Sequence, residues 1–287
     1  MKLVIIGAGE IGQALAEVAK KNKCEVCFWD VDPKKCSASS FTEVLNGVGV
    51  VLFAVPSSAL QKTIQETNNL VSKDIPFLVI TKGLDPETGE TPAEILEKLR
   101  RPVAFLGGPL LAEEVINGSG GFMVVAGSEK VWGVVKKIFE WGNLRVHGES
   151  DIFGVATAGV LKNFYAFLIG VASGVGLGEN LQAEIFSAGV SEMTRVLPRF
   201  GGDPQTAWGA AGMGDMHATA FSKYSRNRMA GESLVKDGKL DERAESVRTW
   251  PVLRGRLGRV EGLPLLNFVG LLMEGRARPE EIKKILG

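Results

Sequence analysis

Cysteine is scarce, with three in 287 residues. That is too few for a disulfide framework and fits a reducing compartment. Cys24 and Cys27 form a lone C-x-x-C with Cys36 nearby. No second pair and no neighbouring histidine completes a zinc site, so these cysteines read as ordinary small apolar side chains and no metal is expected. Net charge is missing too, since 33 Lys+Arg balance 33 Asp+Glu. A neutral chain offers no broad field to nucleic acid or to an anionic membrane. An uninterrupted membrane-length apolar run is also lacking. The stretch 155–175 comes nearest, but Lys162 and Asn163 lie inside it, and an ionisable group near a bilayer centre costs about 3 kcal/mol. It reads instead as a buried helix of a soluble protein. The first residues enter a strand-like run ending in glycines, without the basic region, longer apolar stretch and cleavage site of a signal peptide. A cytoplasmic protein with neither nucleic acid nor membrane as partner is expected.

What is present is enough apolar chain, 45% of residues, to bury a sizeable core, at a length suggesting two domains. Up to about residue 150, short apolar runs alternate with helical patterns. Lys2–Ile6 reads as a strand followed by a helix over 11–20, and Glu25–Trp29 as a second strand. Further strands are predicted at 48–54, 77–81 and 103–105, with shorter ones at 121–126 and 144–146. Strands alternating with helices predict an α/β fold: a doubly wound, mostly parallel sheet of the Rossmann kind covered by helices. From Asp151 the pattern becomes helical, over 151–175, 180–200, 215–231 and 243–258. A dinucleotide-binding domain of residues 1–150 and an all-helical substrate domain of residues 151–287 are therefore expected. The boundary falls at 147–151, where Asp151 is placed to cap the next helix. A cleft between such halves is a usual ligand site.

Gly7-Ala8-Gly9-Glu10-Ile11-Gly12 is G-x-G-x-x-G directly after a strand and before a helix. The first glycine permits the tight turn, the second lets backbone approach a pyrophosphate, and the third packs helix against strand. The helix start then presents unpaired N–H groups to the phosphates. Asp30, at the end of the second strand, is placed to accept the adenosine ribose hydroxyls and to repel a 2′-phosphate. The expected cofactor is NAD, with NADP kept open because Lys34 and Lys35 lie close behind.

Several polar residues sit where local pattern calls for apolar ones. Lys162 lies within the apolar stretch A-G-V-L-K-N-F-Y-A-F. A poorly solvated lysine loses affinity for its proton and becomes usable as a base near neutral pH; the alternative is one that snorkels outward or pairs with a carboxylate. Asp215 and Thr219, four residues apart, share one helix face. Arg226 and Asn227 follow about two turns later, with donors suited to a phosphate or carboxylate, or to a surface ion-pair cluster. His217 is two residues from Asp215 and so faces elsewhere; it reads as packed or solvent-facing rather than as a proton relay.

Seven segments occur in a shared order. They are T-K-G at 81–83, G-G-P-L-L-A-E-E-V at 107–115, G-V-L-K-N at 159–163, G-L-G-E-N at 176–180, G-M-G-D-M-H-A-T at 212–219, S-R-N-R at 225–228 and E-S-V-R-T at 245–249. In order and spacing this resembles the NAD(P)-dependent glycerol-3-phosphate dehydrogenases, over nearly the whole chain. The resemblance implies interconversion of glycerol 3-phosphate and dihydroxyacetone phosphate, a small phosphorylated substrate and a homodimer. It makes Lys162 the general acid/base at the C2 oxygen, with Asp215 holding and tuning it and Lys82 contacting the substrate. Thr219, Arg226 and Asn227 would bind that substrate, the last two at its phosphate. The backbone around Val55 and Pro56 would line the nicotinamide, and Glu245 would reach the cofactor from the second domain. The chain departs from the family pattern in a much shorter connection between Trp29 and Val50, without the N-x-x-Y-L-P-G loop. It also has Glu10-Ile11 in the glycine turn, Leu111 for a phenylalanine, and Ser246 for a glycine. Two alternatives stand beside this reading: a related dehydrogenase of a hydroxyacid or ketopantoate-like substrate, and a non-catalytic NAD(H)-binding paralogue.

Overall fold

A computed structural model describes residues 1–258 and 261–285; residues 286–287 of the expected second domain lie outside the described residues. The strands are β1 Lys2–Ile6, β2 Glu25–Trp29, β3 Val50–Phe53, β4 Phe77–Val79, β5 Val103–Gly107, β6 Gly121–Gly127 and β7 Leu144–Glu149. They form one sheet in the order β2-β1-β3-β4-β5-β6-β7. Every pairing is parallel except β5 with β6. The last two strands, expected to be short, are the longest. The Rossmann expectation holds, and the chain's direction of travel across the sheet reverses between β1 and β3, where ligands of open α/β sheets bind.

Side chains alternate between the two faces of a strand, and the core follows that alternation. Leu3 and Ile5 of β1, with Leu52 of β3 and Leu78 of β4, pack under the helices Glu10–Lys21 and Glu129–Phe139. Val4, Ile6, Phe53, Phe77 and Val79 pack on the other face with Leu60 and Ile64 of the helix Ser57–Leu70. Val155, Ala156 and Ala211 from the helical half join this second cluster, so that half is docked on the sheet by apolar contact rather than tethered beside it.

Asp151 caps the central helix Ile152–Gly174 as expected, its Oδ1 accepting from the Gly154 N–H at 2.8 Å. That helix is long and apolar enough to cross a bilayer, but 89% of its apolar window is buried inside the protein. It is the spine of the helical core, surrounded by Ile185, Met193, Trp250, Leu266 and Val269.

Two helical expectations are corrected. The segment 180–200 is an α-helix only over Glu179–Val196 and continues as a 3₁₀ turn at Leu197–Phe200, because Pro198 has no N–H to extend the ladder. The segment 215–231 is two helices, Asp215–Phe221 and Arg226–Asp237. Ser222 turns extended, and the Ser225 hydroxyl then accepts from the Arg228 N–H to cap a new helix. Serine competes with helical backbone through such local bonds and so favours caps. The break aims Arg226 back at the sheet. The short connection from β2 to β3 holds only the 3₁₀ turn Pro33–Lys35 and the helix Phe41–Leu45, with Phe41 stacked on Trp29 at 5.2 Å between ring centroids.

Candidate active site between the sheet and the helical half

At the carboxyl ends of β1 and β3 the backbone of Gly7 meets that of Ala54. Gly7 has φ +102°, and a Cβ there would strike the Ala54 carbonyl carbon at 2.7 Å. A Cβ at Gly12 would strike the Gly7 carbonyl, whereas one at Gly9 would meet open space. The three glycines thus serve the turn, the helix–strand contact and the open approach expected of each. Gly9 caps the helix Glu10–Lys21 without a side-chain bond, which leaves its first N–H groups available to an anion.

A cleft of about 1160 Å³ opens over this turn, lined by Gly7, Gly9, Glu10, Ile11, Asp30, Val55, Pro56 and Arg226, with Trp29, Lys35, Phe41 and Thr63 among its further walls. It has the size, the glycine approach and the helix start that a dinucleotide requires. Asp30 is partly committed inside the protein. Its Oδ2 accepts from the Ala8 N–H at 2.7 Å and its Oδ1 from the Asp32 N–H at 2.9 Å. Partial burial pulls its carboxyl upward, but the N–H groups of Asp32 and Ala8 and the charge of Lys35 hold it below its ordinary value. Each oxygen keeps a lone pair for a ribose hydroxyl. Asp30 therefore both pins the glycine turn to β2 and presents charge to the cleft.

Across the cleft, Arg226 reaches from the helical half to Glu10, with Nη2 3.5 Å from a carboxylate oxygen. Both groups are largely exposed, so the pair is weakly held and the guanidinium remains available to a stronger anion.

Beyond Val55 and Pro56 the cleft runs into a recess of about 290 Å³, lined also by Ser57, Thr81, Lys82, Leu110, Lys162 and Glu245. Lys162 projects from the central helix and is buried. Its Nζ donates to Asp215 Oδ1 and, at 2.8 Å, to Thr219 Oγ1. Lys82 follows β4 and donates to the other Asp215 oxygen at 2.7 Å and to the Gly108 carbonyl at 3.1 Å. One buried carboxylate is thus shared by two ammonium groups, an arrangement that carries one excess positive charge when both are protonated. Burial, with the neighbouring Lys82 charge, pushes Lys162 down to about 7 against the upward pull of Asp215. The lysine singled out in the sequence is thus paired with a carboxylate and at the same time has a lowered proton affinity.

Two residues expected to bind the substrate already have hydrogen-bond partners within the protein. The Thr219 hydroxyl accepts from Lys162 and donates to the Asp215 carbonyl at 2.8 Å. Asn227 donates to Asn163 Oδ1 at 2.9 Å and accepts from the Ser246 N–H at 2.9 Å. Asn163 in turn donates to the Lys82 carbonyl at 3.3 Å, so these amides brace the backbone that carries Lys82. Sequence reasoning did not single out Asn163 as a site residue, although it adjoins Lys162 in the same apolar stretch. Ser57 and Gly83 were missed as well, because their relation to Glu245 spans distant segments. Glu245 lies in the recess, its Oε1 accepting from Ser57 Oγ at 2.5 Å. His217 lies apart, packed against Phe221 and Phe186 with ring centroids 4.9 and 5.7 Å away. Among the described residues, no group of three or more His, Cys, Asp and Glu side chains is placed to hold a metal ion, and the three cysteines are free and partly buried.

A dinucleotide cleft on a Rossmann sheet, leading to a buried lysine with a depressed proton affinity, defines an NAD(P)-dependent oxidoreductase with a helical second half. Comparison with known proteins narrows the class. The family model for the NAD-dependent glycerol-3-phosphate dehydrogenase C-terminus matches residues 151–284, and that for its N-terminus matches residues 36–132. The chain is 34% identical to glycerol-3-phosphate dehydrogenase [NAD(P)+] of Synechocystis sp., over 99% of this chain and 92% of that protein. It is 32% identical to the enzyme of the same name from Bacillus mycoides, over 86% of this chain and 81% of the relative. The crystal structure of glycerol-3-phosphate dehydrogenase from Coxiella burnetii shares the fold, with a TM-score of 0.88 at 24% identity over 99% and 98% of the two chains. The chain belongs to the NAD-dependent glycerol-3-phosphate dehydrogenase family.

Proposed function

We propose that the protein interconverts sn-glycerol 3-phosphate and dihydroxyacetone phosphate, with residues 1–150 holding the cofactor and residues 151–287 completing the substrate site. The observation that carries this reading is the shared carboxylate of Asp215 between Lys162 and Lys82, at a recess opening on the cofactor cleft. The bound nicotinamide supplies or accepts the hydride at its C4 carbon. Lys162, as the neutral amine, takes the proton of the C2 hydroxyl during oxidation, and as the ammonium returns it during reduction. Asp215 holds that amine in place and keeps the conjugate acid from being too strong. Lys82 has donated two of its three N–H groups inside the protein, and the third serves a substrate oxygen.

Arg226 exchanges its loose contact with Glu10 for the substrate phosphate, a charge-assisted interaction stronger than an exposed ion pair. Asn227 supports that end through Asn163 and the Ser246 backbone. Binding energy from the non-reacting phosphate then orients C2 against the cofactor. Glu245 would meet the cofactor from the helical half, and the backbone of Val55 and Pro56 would line its nicotinamide. NAD is the preferred cofactor in this reading because Asp30 presents a carboxylate where a 2′-phosphate would sit. The protein acts in the cytoplasm, in keeping with its few cysteines, and as a homodimer, as its family resemblance implies.

The test mixes purified protein with NADH or NADPH and dihydroxyacetone phosphate and follows the nicotinamide absorbance. Turnover with NADH preferred is the expected result. Cofactor binding with no turnover would instead support a non-catalytic paralogue. Turnover confined to a 2-keto acid would support a hydroxyacid or ketopantoate-like substrate.

A further inference from the structure

Glu245 and Ser57 are 188 positions apart, and each is the first residue of its helix, Glu245–Leu257 and Ser57–Leu70. Their side chains meet across the boundary between the sheet and the helical half. Ser57 is buried, at 3% exposure, and its hydroxyl donates to Glu245 Oε1 at 2.5 Å. The other carboxylate oxygen lies 3.1 Å from Arg248 Nη2. A third segment closes the slot from beside Lys82. A Cβ on Gly83 would overlap Glu245 Oε1 and stand 2.8 Å from its Cδ and 2.9 Å from the Ser57 Cβ. Any larger residue there would displace the carboxylate, because both of its sides are already occupied.

Such a slot is more than helix packing requires. A solvated glutamate at a helix start needs no partner from another half of the chain. Here V-P-S, T-K-G and E-S-V-R-T converge to fix one carboxylate in the recess, with acceptor capacity left over. That spare capacity would suit a donor at the nicotinamide end, such as the amide N–H of the cofactor's carboxamide. Restricting a polar group in advance of binding reduces the ordering cost at the moment of binding.

We propose that Ser57 is a positioning residue for the cofactor: with Gly83, it locks Glu245 into the nicotinamide end of the cleft and couples the two halves to cofactor binding. The proposal rests on the reading of Glu245 as a cofactor contact, but its test does not depend on the identity of the substrate. NADH affinity is measured by fluorescence titration in the unaltered protein and in Ser57→Ala, Gly83→Ala and Glu245→Ala, and in the Ser57→Ala/Glu245→Ala double variant.

Ser57→Ala weakens NADH binding by roughly ten-fold, in keeping with loss of a hydrogen bond to a charged group. Gly83→Ala weakens it at least as much. In the Glu245→Ala background, Ser57→Ala adds less than about two-fold, because the acceptor it positions has been removed. In steady state, Ser57→Ala raises the KM for NADH and leaves the KM for dihydroxyacetone phosphate within about two-fold. An NADH affinity unchanged in Ser57→Ala overturns the proposal. So does an equal loss in the two backgrounds, since a merely structural hydroxyl would act independently of Glu245. If the protein binds NADH but turns over no triose phosphate, the substrate assignment fails and the titration still decides the role of Ser57.

Discussion

The protonation of Lys162 makes the sharpest demand on the proposed mechanism. An ordinary lysine with a pKa near 10.5 is neutral in only about three molecules per ten thousand at pH 7. With Lys162 at about 7, about half are neutral at that pH, a gain of about a thousand-fold in available base. Oxidation requires the neutral amine, so its kcat/KM rises with pH and levels off above about 7. Reduction requires the ammonium, so its kcat/KM falls as pH rises through the same value. The neighbours supply a further check of sign. Lys82 depresses Lys162 through its charge, and Asp215 raises it. Lys82→Met therefore moves the apparent pKa above 7, and Asp215→Asn moves it below. The assay is kcat/KM against pH in both directions for each variant, which reports groups of the free enzyme. The substrate phosphate also titrates, near pH 6, but identically in every variant. Lys162→Ala lowers turnover by at least about 10²-fold, the usual weight of a positioned acid/base, with NADH binding intact. Shifts of the same sign in the two neighbour variants, or a limb near 7 persisting in Lys162→Ala, would refute the reasoning.

Arg226→Ala raises the KM for dihydroxyacetone phosphate by about ten-fold or more through loss of a charge-assisted contact; because Arg226 also faces the glycine turn, the KM for NADH rises too, and an unchanged substrate KM would remove it from the phosphate site. Asp30→Ala weakens NADH binding and lowers the preference for NADH over NADPH, since it releases the Ala8 N–H along with the repelling charge; the ratio of the two affinities measures this, and a wild-type preference for NADPH would contradict the reading. Glu192 is buried and accepts from the N–H groups of Leu265 and Leu266, which open the helix Pro264–Met273. Glu192→Ala orphans both donors and costs about 3 kcal/mol, read by urea unfolding. Burial raises this carboxyl to about 7, above its unfolded value, so the deficit of Glu192→Ala is fully present below about pH 4.5 and narrows as pH rises through 7.

Much of this architecture was legible because its signals are local. Apolar runs marked every strand, and the spacing of Gly7, Gly9 and Gly12 marked the turn, because a missing Cβ matters only where backbone approaches backbone. Lys162 stood out as a charge in an apolar helix, and Asp215 and Thr219 as neighbours on one face. What escaped was decided at long range. The break at 222–225 depends on serines choosing between helix and cap. The inward commitment of Asn227 depends on Asn163 and on the Ser246 backbone, each from a different helix. The value of Gly83 appears only when Glu245 arrives from the far half of the chain. In each case the residue type left both outcomes open, and a partner distant in sequence chose between them.

The placement of Asp215 also bears on why the proposed acid/base lies between two halves instead of within one. Lys82 comes from the end of the sheet and Lys162 from the central helix, while Asp215 opens a short helix in the second half. A lone lysine at this depth would be deprotonated by desolvation and would have little ammonium to return during reduction. A lysine paired to its own carboxylate would stay protonated and have no amine for oxidation. Dividing the carboxylate with Lys82 sets Lys162 between these limits, and the division exists only while the halves are in contact. Separating them by even a few ångströms would remove Lys82 from Asp215 and restore a full ion pair to Lys162. In the proposed mechanism the proton affinity of Lys162 thus depends on its burial and on the contact with Lys82 together, and the same apposition brings Glu245 to Ser57 at the other side of the recess.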